Sequence, residues 1–131
     1  MKHDYRIILV VDRHYGERLK TLPKDTPAWI VDSPANRPVI DELRKERAAD
    51  THPAGITSFK DVAEASPEKL AVSMLNDVEL HHGSNSTNPR CNILQIVGAP
   101  MTRALDDALN RLDFLLRNVT PTALEYRRPN H

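Results

Sequence analysis

A single cysteine, Cys91, rules out an intramolecular disulfide and leaves too few thiols for a zinc finger. Neither sign of charge is in excess, since eighteen Lys and Arg balance eighteen Asp and Glu. That balance argues against a dedicated nucleic-acid module, which carries a basic footprint, and against a binder of anionic membranes. Long apolar runs are also missing. The longest, Ile7 to Val11, is far short of the ~20 residues that span a bilayer, and Asp12 and Arg13 follow it where a secretory leader needs small residues. A cytoplasmic protein with no nucleic-acid or membrane partner is the expectation. Glycine is scarce, at four. The three-glycine dinucleotide fingerprint, the GxxxxGK[ST] phosphate loop and the Gly-x-Ser-x-Gly elbow are all absent. No cofactor is implied.

What remains is the ordinary mixture of a globular chain, 40% hydrophobic and 27% charged over 131 residues. That is enough for one core, so residues 1–131 are expected to form a single domain. Arg6 to Val11 is a β-branched and aliphatic run that suits a strand covered on both faces. Tyr15, Leu19 and Leu22 follow at helical spacing, closed by Pro23, and Ala28 to Val31 reads as a second strand. Ser33-Pro34 opens a helix striped by Val39, Ile40 and Leu43. Ile56 to Phe59 is a weaker strand, placed at or near an edge. Ser66-Pro67-Glu68 opens another helix, carrying Leu70, Met74 and Val78 inward and His81-His82 in its last turn, with Gly83 as its stop. Ile93 to Val97 is a fourth strand. After Gly98-Ala99-Pro100, Leu105, Leu109, Leu112, Leu115, Leu116 and Val119 place one long amphipathic helix before Thr120-Pro121. Ala123 to Arg127 is a terminal strand. The order β-α-β-α-β-α-β-α-β predicts a three-layer α/β domain, with a mostly parallel five-stranded sheet and helices on both faces.

In such a sheet the carboxyl ends of parallel strands share one rim, where ligands bind. Asp12 and His14 follow the first strand, Asp32 and Ser33 the second, Lys60 and Asp61 the third, and Gly98 the fourth. Arg127 and Arg128 join them if the last strand is parallel. Asp12 and Asp32 have two readings. Each caps the turn that follows it, a common role for Asp. Alternatively the pair holds a metal or splits into acid and base, with His14 moving a proton. The two helix starts on this rim offer Ser33, Asn36 and Arg37, and Gly98, Thr102 and Arg103, as candidate anion ligands, although any helix start has free N–H groups.

On the opposite rim, His81 and His82 point about 100° apart on their helix and do not share one ion; the i,i+4 pair is absent. No metal site is expected. Cys91 has no catalytic signature around it and reads as a small buried apolar residue. The surplus of apolar residues in the last helix, Phe114, Leu115 and Leu116 among them, and a free sheet edge suggest a homodimer. Two functions follow. The first is a binding or assembly module for a partner protein or a small ligand, with an anion as the candidate. The second is a phosphate-ester or nucleotide-handling enzyme built on Asp12, His14 and Asp32. They part on one observation: the acids either converge in a cleft without capping partners, or bond their neighbours.

Overall fold

The computed structural model describes residues 4–48, 55–60, 65–82 and 91–129, with the backbone alone at 60 and 79–82. Its elements are β1 (Arg6–Val10), a 3₁₀ helix (Gly16–Thr21), β2 (Ala28–Asp32), α1 (Arg37–Ala48), β3 (Ile56–Lys60), α2 (Pro67–His82), β4 (Ile93–Val97), α3 (Arg103–Asn110), β5 (Leu115–Val119) and β6 (Ala123–Arg127). They build a six-stranded sheet in the order β3-β2-β1-β4-β6-β5. The first four strands are parallel and β6 runs antiparallel between β4 and β5. The α/β class therefore holds, but the sheet is mixed and has six strands rather than five.

Alternation along the strands sorts the core. Ile7 and Leu9 of β1, Leu94 and Ile96 of β4 and Leu124 and Tyr126 of β6 pack with Ala71, Met74 and Leu75 of α2 and Leu105 and Leu109 of α3. Ile8, Val10 and Ile30 face the other way, onto Leu19 of the 3₁₀ helix and Val39, Ile40 and Leu43 of α1. Period-two strands with apolar residues on both sides need cover on both sides, and these helices supply it. Cys91 lies inside the first cluster at 1% exposure, the small apolar role expected of it.

The long last helix is the main departure. α3 ends at Asn110, and 115–119, expected to continue it, is the edge strand β5. The stop is local. Asp113 has φ 69°, the Phe114 amide donates to Leu109 O at 3.0 Å, and the Asp113 amide to Asn110 O at 3.0 Å. This is the paired 6→1 and 5→2 bonding of a Schellman turn, with an aspartate where glycine usually sits. Its hydrophobic contact is present too, because Leu109 and Phe114 share one core cluster at 0% exposure. An aspartate in the left-handed region costs less than most residues but more than glycine. Asp113→Gly is expected to raise stability by about 0.5 kcal/mol, after the glycine's extra unfolded-state entropy is deducted. The check is the urea midpoint. A fall would show that the aspartate side chain itself holds the turn.

The redirected chain changes the rims. Because β6 is antiparallel, Arg127 pairs with Ile93 at the amino end of β4, not at the carboxyl rim. Arg128 goes with it, 7% exposed, with Nε donating to Cys91 O at 2.9 Å and its guanidinium over the Phe114 ring at 4.4 Å. The surplus apolar residues from which a second subunit was expected are placed otherwise. Phe114 is core, Leu116 packs against the core, and Leu115 stands on an edge strand rather than a helix. Asp61, Gly83 and the loop 84–90 lie outside the described residues, as do the side chains of Lys60, His81 and His82.

Candidate functional site

The strand order runs outward from β1 in two directions, to β2 and β3 on one side and to β4 on the other. Connections leaving β1 and β4 diverge there, and in open α/β sheets such a reversal leaves a crevice beyond the carboxyl ends of the strands. A cleft of about 480 Å³ occupies that place. Its walls come from the turn after β1 (Asp12, Tyr15, Arg18), the turn after β4 (Gly98 to Met101) and the β5–β6 hairpin (Val119 to Thr122).

Gly98 closes its floor. It has φ +92°, and a Cβ built on it would stand 2.4 Å from Asp12 Cβ and 2.9 Å from Asp12 N. Only a glycine permits both that backbone and that approach. The Gly98 amide donates to Thr122 O at 3.2 Å, which ties the hairpin to the same floor.

Asp12 serves the turn beside it. Oδ1 accepts from the His14 amide at 2.8 Å, and Oδ2 accepts from Arg18 Nη2 at 3.2 Å. Arg18 also lies over the Tyr15 ring at 4.5 Å, so its guanidinium is held from its flat side and from one edge. Asn36, fully buried, is the pin beneath. Its Oδ1 accepts from the Gly16 amide at 2.8 Å, and its Nδ2 donates to Asp12 O at 2.9 Å and Val31 O at 3.1 Å. Ser33 Oγ donates to Arg13 O and accepts from the Asn36 amide. Two loops that start on neighbouring strands are thus locked by two short polar side chains, and the buried polar groups are satisfied.

The expected site residues divide accordingly. Asp12 and Gly98 line the cleft. Ser33 and Asn36 are buried under the loops as bracing. Asp32 stands outside the cleft and accepts from Arg37 Nε at 3.0 Å, so the two acids do not converge in it. His14 is exposed and also outside it. Thr102 caps α3 by accepting from the Leu105 amide at 3.2 Å. Arg103, 96% exposed, reaches only Asp107 among the described residues, at 3.9 Å. Among the described residues no three His, Cys, Asp or Glu side chains cluster to hold a metal, and no helix is long and apolar enough to cross a membrane.

Most of the lining residues are not among the sequence candidates, Arg18, Met101, Val119 and Thr122 included. Arg18 sits in a segment read only for its apolar spacing. By its spacing Val119 reads as the end of a helix, which would carry it to the other rim. A β-bulge aims it. Leu116 faces Tyr126 and Asn118 faces Glu125, so Arg117 is an extra residue and Val119 is brought opposite Leu124, onto the cleft side.

Away from the cleft, Arg6 Nη1 donates to Glu125 Oε1 at 2.9 Å, and Arg127 Nε to Glu125 Oε2 at 3.1 Å. Partial burial pushes the Glu125 carboxyl up, but the two guanidiniums outweigh it and hold it below the usual range. Burial, with the bond to Asp106, pushes the Tyr126 phenol well above its ordinary value. Both groups are structural.

Comparison with known protein families, curated proteins and solved structures finds no match for this chain. Its class is therefore given by its architecture: a mixed α/β domain with a cleft at the point where the strand order reverses.

Proposed function

We propose that the protein is a binding domain for a small molecule, held in the cleft between the carboxyl ends of β1 and β4. The observation that carries this is the exposure of Met101 and Val119, 51% and 58%, on the walls of one crevice. Large apolar side chains left facing water together at a concave site favour an occupant that covers them. The bonding of Asp12 and Asp32 supports binding over phosphate-ester chemistry. Asp12 holds its own turn and Arg18, and Asp32 holds Arg37, which leaves neither poised as a base in the cleft.

The test is a screen of small molecules against protein labelled with ¹³C at the methionine methyls. The chain has three methionines, Met74 is sealed in the core at 0% exposure, and Met101→Leu assigns the cleft signal. Binders are expected to move Met101 and leave Met74 still. Ligands shown to bind by their own signals that leave the Met101 methyl still would overturn the assignment, and the groove of Val72, Ser73 and Ala108 would be the next place to look.

A further inference from the structure

We infer that the occupant of this cleft is a small organic anion, a carboxylate or phosphate monoester on an apolar body, with its head on Arg18 and its body against Met101 and Val119. The inference rests on the reading of the cleft as the ligand site and adds the chemistry of the ligand.

The polar groups at this wall differ in their unused hydrogen-bonding capacity. Each Asp12 oxygen already accepts a bond, from the His14 amide and from Arg18. Arg18 gives one of its five N–H groups to Asp12, and among the described residues no other acceptor takes the rest. The polar capacity left at this wall is therefore mainly donor capacity, and it belongs to a cation. The guanidinium is also pre-ordered. Tyr15 at 4.5 Å fixes its plane and Asp12 one edge, so an oxyanion meets a fork whose rotamer freedom is already reduced. The Arg18 side chain is 59% exposed, so it is open to an incoming group. Facing it are Met101, Val119, Pro100 and Pro121, which offer no charge and suit an aliphatic or aromatic body. A free inorganic ion would use only the guanidinium and leave these side chains uncovered.

Asp12 makes the site selective in a testable way. Its negative charge, 3.2 Å from the guanidinium, opposes a second anion there. Asp12→Asn keeps an oxygen for the His14 amide and removes that opposition.

The experiment titrates hexanoate, hexyl phosphate and the neutral isostere hexanamide into the labelled full chain, reading the Met101 methyl. At least one anion is expected to shift it saturably and to bind more tightly than the amide. Arg18→Gln is expected to weaken that anion by about tenfold or more and to leave the amide unchanged. Asp12→Asn is expected to tighten the anion several-fold. If the amide binds as well as the anions, or Arg18→Gln leaves the anions untouched, the ligand class is overturned while the cleft remains the site. Weaker anion binding in Asp12→Asn overturns the assignment of the head to Arg18. If no compound moves Met101, the anion proposal is overturned, and the cleft is judged by the broader screen alone.

Discussion

Gly98→Ala is expected to destabilise the protein by about 3 kcal/mol or more. Two costs add. A residue with a Cβ resists φ +92°, and the new carbon would stand 2.4 Å from Asp12 Cβ and 3.0 Å from Asp12 Cα. The obstacle is backbone and a Cβ, not the far end of a flexible side chain, so relief requires the β4–α3 turn to move away from β1. That movement would open the floor of the cleft. Urea denaturation should show a lower midpoint with an unchanged slope. Gly55→Ala is the control: its added carbon meets nothing within 4 Å, and its effect should stay within about 0.5 kcal/mol. Equal stability of the two variants would show that the approach of Gly98 to Asp12 is not constraining.

Asn36→Ala is the second large effect. Asn36 is 0% exposed and answers three backbone groups, the Gly16 amide and the carbonyls of Asp12 and Val31. Alanine leaves all three buried or half-buried without that partner. Val31 O keeps the Ser33 amide at 3.0 Å, but the Gly16 amide and Asp12 O are stranded. At about 1 kcal/mol for each of the three bonds lost, the expected loss is about 3 kcal/mol. For a chain of this size that corresponds to a fall of roughly 10 °C in Tm. Differential scanning calorimetry reads it directly. A fall of only a degree or two would mean that water enters beneath the loops and replaces the amide.

Both variants act on residues that the sequence picks out, but for reasons the sequence does not state. Gly98 stands out as a glycine leading from a strand into a helix, which suggests an anion-binding turn; the structure makes it a point of contact with Asp12. Asn36 looks like a donor at a helix start, and it is the brace between two loops. Of the two roles that the sequence offers Asp12, capping the turn after β1 matches the bond that it accepts from the His14 amide. The pairing of Asp12 with Arg18 is not legible, because they stand six positions apart across a loop and a 3₁₀ helix and no simple period predicts their meeting.

The apolar pattern by itself determined the α/β class and the edge position of β3, because burying those residues on two sheet faces admits few alternatives; it left the direction of the third and last strands open. It did not determine where α3 ends. The helical spacing from Leu105 to Val119 continues through a Schellman turn whose left-handed residue is Asp113, and periodicity cannot see a backbone angle. Tertiary structure decided the rest. Phe114, just past the turn, is buried in one cluster with Leu109, and β5 and β6 that follow form a hairpin against β4. That hairpin turn meets Gly98 and Asp12 at one end of the sheet, and the cleft exists only because three segments distant in the chain are held together there by long-range burial.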